Sequence, residues 1–160
     1  MIRLILILSI ALIAENNFQI EGTVTSVIDG NTLVVTTSDG QQYPIILSGI
    51  DCPEPEQNYG MEAKHFMENL VFNKEVVVDI YGKDRLKNYI GVVLLEDSGD
   101  VRFHLLEEGL AWTSEKDPVA ELEVIRIRAM AGKKGLWSDD KPTPPWIFRR
   151  QQSMMEPKSR

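Results

Sequence analysis

A chain with a single cysteine, Cys52, can form no internal disulfide and can furnish no multi-cysteine zinc site. Histidine is nearly as scarce: His65 and His104 are the only two, they belong to different expected elements, and neither has an orienting partner evident in sequence. A nucleophilic role for Cys52 therefore lacks a base, and both histidines read as ordinary surface or core residues. No apolar run reaches the ~20 residues that span a bilayer, so no stable membrane span is expected. Basic charge is also short. Lys and Arg number 17 against 24 Asp and Glu, a formal net charge of −7, which argues against tight non-specific binding to a polyanion. Phosphate affinity comes largely from counterions released by cationic side chains.

The opening, MIRLILILSIALIAENN, carries one cation, Arg3, then an uncharged apolar run from Leu4 to Ala14, then polar residues. A run of that length fits the core of a secretory signal, about 7–15 residues. Residues 1–14 are expected to be an export signal and the protein periplasmic or secreted. A short uncleaved membrane anchor and a buried first strand are the alternatives. Removing Arg3 with this segment takes the charge from −7 to −8. With 160 residues in all, 43% hydrophobic and 26% charged, the chain fits one globular domain over 18–150, expected to be monomeric, with a flexible tail over 151–160.

Periodicity predicts the elements. IEGTVTSVI alternates apolar with small or polar residues, Asp29-Gly30 turns, NTLVVTT continues, and Ser38-Asp39-Gly40 closes a hairpin into QQYPIILSG. In that third strand Tyr43, Ile45 and Leu47 share one face, while Pro44, Ile46 and Ser48 share the other. Ala63, Phe66, Met67 and Leu70 fall on one stripe of an amphipathic helix. KEVVVDIY and YIGVVLLED read as two further strands, Phe103 to Leu110 as a short helix, and Pro118 as the first position of a helix running to about Gly132. The tail GLWSDDKPTPPWIFRR, rich in proline, is expected to lie extended over the body. Five strands with a helix after the third predict an α+β, mainly β fold: a small closed barrel of the oligonucleotide-binding type with helices packed on it. Three basic groups, Lys83/Arg85/Lys87, Arg126/Arg128/Lys133/Lys134 and Arg149/Arg150, read as solvated faces. Trp112, Trp137 and Trp146 read as packing anchors.

Residues 48–55, SGIDCPEP, hold Asp51 and Glu54 three apart between prolines, a pattern that fits neither a helix interior nor a central strand. Two like charges kept close point to a bound cation, a catalytic proton or simple solvation. Taken with IDGNT (28–32), GIDCPEP (49–55), YGMEA (59–63), KDRLKNYIG (83–91), EEGLAW (107–112) and GLW (135–137) followed by PPW, the chain resembles the staphylococcal nuclease (thermonuclease-like) family over nearly everything after the signal. The resemblance implies a five-stranded barrel with about three helices and a calcium-dependent phosphodiesterase that cuts DNA and RNA. It places calcium ligands at Asn31, Asp51 and the backbone carbonyl of Cys52, and the general base at Glu54. Such a site uses a hard cation and guanidinium groups to neutralise charge that builds on the phosphoryl oxygens.

This sequence departs from the family pattern at the cations. The resemblance puts one arginine at Ile46 and a second at Asn88, a base-stacking tyrosine at Leu86, and a ligand aspartate at Asn31. A transition-state donor is worth about 2.7–4 kcal/mol, or 10²–10³ in rate, so two lost arginines should cost on the order of 10⁴ or more. Calcium, if held, should be held weakly. The expectation is an exported nuclease-family module with weak or absent catalysis that binds single-stranded nucleic acid weakly. One alternative is a slow calcium-dependent nuclease in which Lys87 or Arg85 compensates. Another is a module for protein or cell-envelope components.

Overall fold

Alternation of buried and outward residues closes the barrel. In the computed structural model, which describes residues 18–116 and 118–155, strand β1 (Phe18–Val27) buries Ile20, Val24 and Val27, β2 (Thr32–Thr36) buries Leu33 and Val35, and β3 (Gln42–Leu47) buries Ile45 and Leu47. After the short strand β4 (Ile50–Asp51) and helix α1 (Gly60–Val71), strands β5 (Glu75–Lys83) and β6 (Tyr89–Leu95) add Val76, Val78, Ile80, Val93 and Leu95 to the same core. The strands run in the order β3-β2-β1-β5-β6 with antiparallel neighbours. A parallel pairing of β3 with β6 completes the ring. The expected five-stranded barrel is what the chain forms. The expected export signal, residues 1–14, lies outside the described residues.

Helix α1 seals one end of the barrel through Ala63, Met67 and Val71, with Phe66 and Leu70 packed partly buried beside them, which is the stripe that the spacing predicts. A short strand β7 (Gly99–Asp100) leads into α2 (Val101–Glu107), whose Val101, Leu105 and Leu106 are buried. Strand β8 (Trp112–Thr113) then pairs with β4, setting Asp51 opposite Trp112. The longer helix, α3 (Ala120–Ala131), starts two residues after Pro118, with Val119 as its extended cap and Glu121 and Glu123 in the first turn, where they complement the helix dipole.

The extended tail is overturned. Residues Pro145–Met155 form helix α4, so 151–155 are helical rather than a loose tail. Pro145 opens the helix, where a missing N–H costs nothing and a fixed φ favours the turn. The carbonyl of Pro144 accepts from the N–H groups of Ile147 and Phe148, both at 3.1 Å. Prolines 142, 144 and 145 all precede or begin the helix, and residues 146–155 hold no proline or glycine to stop it. The count of helices is therefore four among the described residues, against about three expected.

Aromatic contacts fasten this end of the chain to the barrel. Trp112 meets Trp137 edge-on at 4.5 Å between centroids and Trp146 at 5.7 Å, so all three tryptophans act as anchors. No helix among the described residues is long and apolar enough to cross a membrane.

Candidate functional site

Two turns converge to form the site. In IDGNT the carboxylate of Asp29 accepts the N–H of Asn31 at 2.9 Å, closing an Asx turn between β1 and β2. The Asn31 side-chain oxygen accepts the N–H of Cys52, also at 2.9 Å, stitching that turn to the DCPEP loop. Gly30 makes the approach possible, because a Cβ there would lie 2.7 Å from that of Cys52 and 2.8 Å from that of Ala63. Gly60 does the same for the other side of the loop: a Cβ would fall 1.9 Å from the carbonyl oxygen of Glu54.

Behind the loop, Arg102 donates to the carbonyl of Ser48 at 3.0 Å while holding Asp100 in a salt bridge of 2.6 Å. The side chains of that bridge are 12% and 10% exposed, so it is close to a buried pair. Together these contacts fix the strand β4 that carries Asp51. Asp51 thus sits on a short paired strand rather than in an open loop, and Glu54 follows beyond Pro53.

A cavity of about 800 Å³ opens here, lined by Asn31, Ile46, Asp51, Cys52, Glu54 and Asn88 together with Asp29, Asp84, Leu86, Ile90, Lys116, Trp146 and Arg149. Ile46 faces it, as the strand alternation predicts, paired with Thr32 on β2 and Ile90 on β6. Asn88 faces it too, but its amide is engaged: Nδ2 donates to Asp84 at 2.9 Å, and the same carboxylate accepts the N–H groups of Leu86 and Asn88 at 2.8 and 2.9 Å. These bonds, that of the Asn88 side chain foremost, hold the Asp84 carboxyl below its ordinary range. Cys52 is buried, and desolvation, then the charges of Asp29 and Asp51, pushes its thiol well up, which keeps it unreactive.

The cationic candidates are elsewhere. Lys87 and Arg85 are exposed and neither lines the cavity; the turn tied by Asp84 puts Lys87 in the left-handed region at φ 69°. Instead a guanidinium from α4 occupies the acidic corner. Arg149 donates from Nη1 to Asp51 Oδ1 at 3.1 Å and to Glu54 Oε1 at 2.6 Å, and from Nη2 to Asp51 Oδ2 at 2.6 Å. Its bond with Asp51, then that with Glu54 and the two negative charges, raises its pKa further above the ordinary arginine value against the opposing effect of partial burial. Sequence reasoning treated Arg149 as part of a solvated face and read the corner as acids without a guanidinium. That reading is corrected. The available signal was the spacing of Trp146 and Arg149, which share a helix face once Pro145 is taken as a helix start.

Gln57 reinforces the arrangement. Its side-chain oxygen accepts the N–H of Glu54 at 2.9 Å while its Nε2 donates to the carbonyl of Thr143 at 3.0 Å, tying the acidic loop to the approach of α4.

The fold is thus a closed five-stranded barrel with helices packed on it and a carboxylate-bearing cavity at the mouth between β3, β4 and β6. The profile described as "Staphylococcal nuclease homologue" matches residues 44–139. A protein of Escherichia coli O157:H7 described as an uncharacterized endonuclease is 38% identical over 137 residues, covering 84% of this chain and 88% of its own. A Haemophilus influenzae protein of the same description is 30% identical over 134 residues, 82% of this chain and 74% of that one. A probable staphylococcal-like nuclease of Oryza sativa subsp. japonica is 35% identical over 113 residues, 70% of this chain and 34% of the rice protein. The chain belongs to the staphylococcal nuclease family.

Calcium, which that family resemblance implies, does not fit the residues as they stand. A hard cation of this kind takes about 6–8 oxygens. Here the Asn31 oxygen is used by Cys52 and both Asp51 oxygens by Arg149. Among the described residues no three acidic, histidine or cysteine side chains group as a metal site.

Proposed function

We propose that this is an exported nucleic-acid-binding domain of the nuclease family in which phosphodiester hydrolysis is lost or severely impaired. The observation that carries the reading is the triad of Arg149, Asp51 and Glu54. A guanidinium that stabilises a phosphoryl transition state must aim its N–H groups at the phosphoryl oxygens. Arg149 has three of its hydrogen bonds on the two carboxylates. Glu54, the residue at the base position, accepts one of them at Oε1, and the guanidinium charge beside it lowers its basicity toward water. Ile46 and Asn88 add no fork: one is aliphatic and the other is tied to Asp84. Export rests on the apolar run from Leu4 to Ala14 after Arg3.

The position of Arg149 also favours a second reading, a slow nuclease in which this arginine leaves the carboxylates and turns to the scissile phosphate. Digestion of plasmid DNA and of RNA by the purified chain, in calcium and then in EDTA, separates the two. The first predicts no cleavage above the EDTA level. Calcium-dependent cleavage that disappears in Arg149→Gln would replace it with the second. Titration with a fluorescent single-stranded oligonucleotide at low salt tests the binding role, and absence of binding would leave a protein or envelope ligand instead.

A further inference from the structure

We propose that α3 is a self-association surface: two copies of this chain pair antiparallel along the exposed stripe of Ala120, Val124, Ile127 and Ala131, with Val124 and Ile127 at the centre of a two-fold contact. None of these four residues lines the cavity, so the contact stands apart from the nucleic-acid reading.

Helix α3 carries apolar residues on both of its faces. Leu122 and Ala129 are buried, with Ile125 packed partly buried beside them, and this side meets the body of the protein. A helix that only covers a barrel needs polar residues on the opposite side. Instead Val124 and Ile127 are 48% and 47% exposed, and Ala120 and Ala131 are exposed with them. The four recur at intervals of four, three and four, which is the spacing of a seam between two packed helices. Alanine at either end of the stripe lets two helix axes come close, while the two branched side chains fill the middle.

Charge decides what the seam meets. Glu121 and Arg128 lie seven residues apart on one flank of the stripe, both exposed, and no described residue forms an ion pair with either. Glu123 and Arg126 differ: they are bonded to each other at 2.9 Å, and the Arg126 guanidinium lies 5.3 Å from the centre of the Trp137 ring. An antiparallel second copy sets its Arg128 beside Glu121 and its Glu121 beside Arg128, so the surface is its own complement. A parallel copy would set like charge against like, and its helix dipoles would oppose the contact too. Three turns of helix bury well under the ~1,200 Å² of a stable interface, so the dimer is transient, with a Kd on the order of 10–100 µM.

The experiment is sedimentation velocity on the full chain from about 5 to about 500 µM, a range that brackets that constant. The unmodified chain should pass from monomer to dimer as its concentration rises. Val124→Ser with Ile127→Ser, at exposed positions that leave the core intact, should stay monomeric. Glu121→Lys and Arg128→Glu should each weaken the dimer about fivefold or more, because both pairs across the two-fold become like pairs. Mixing those two singly changed chains should restore association as a heterodimer, and Glu121→Lys with Arg128→Glu in one chain should restore the homodimer. A chain that is monomeric throughout would overturn the proposal and leave the seam to the apolar run from Leu4 to Ala14 or to another protein. A dimer that survives Val124→Ser with Ile127→Ser would overturn it as well, since it would lie on another surface. So would single charge reversals that leave the affinity unchanged, which exclude the antiparallel register.

Discussion

Asn88 and Ile46 show how a single side chain sets what a site can do. Asn88 closes the Asp84 turn, and an arginine there would have to give up that bond to reach into the cavity. Ile46 already points into it and needs only length and charge. Replacing both, Ile46→Arg with Asn88→Arg, in a chain that also carries Arg149→Gln to release Asp51 and Glu54, should raise calcium-dependent cleavage by about 10² or more per recovered donor, and adding Asn31→Asp should raise it further. No change in a plasmid-nicking assay would show that these positions are not the arginine sites. Arg102 bears on stability instead. Its pairing with Asp100 is nearly buried and also holds Ser48, so Arg102→Ala should destabilise by about 3–5 kcal/mol, read as a lower midpoint in urea. Ile46 was legible in sequence because strand alternation fixes its face. Asp84's tie to Asn88 was not, since nothing in DRLKN distinguishes a locked turn from an open one.

Among the elements, α4 carries the most consequence and was the least readable. Local composition around Pro142, Pro144 and Pro145 argues for extended chain, whereas the helix that follows is stabilised by tertiary contact of Trp146 with Trp112. Trp146→Ala should therefore loosen α4 alone. Hydrogen exchange should accelerate over residues 145–155 by about tenfold or more and stay unchanged in β1, β5 and β6, consistent with local opening. Acceleration across the barrel would mean that α4 is part of the core. By contrast, α1 and the barrel strands were readable from periodicity, because each buries a face large enough to pattern its own sequence. The two-residue strands β4 and β8 were not, since so short a pair leaves no period.

The net charge of −7 governs how the protein meets a polyanion. Lys116 and Arg149 are the cations lining the cavity, so single-stranded binding there should neutralise one or two phosphates. The logarithm of affinity against that of salt should fall with a slope of about −0.7 to −1.4. A slope of about −3 or steeper would put the interface on the basic groups at Lys83, Arg85 and Lys87 or on α3 instead. Residue order alone settled the barrel and the family, because hydrophobic period and motif spacing are local properties of a chain. The company that Asp51 and Glu54 keep was settled by folding. Arg149 lies 98 and 95 residues from them, and only the seating of one helix on one tryptophan brings its charge to theirs.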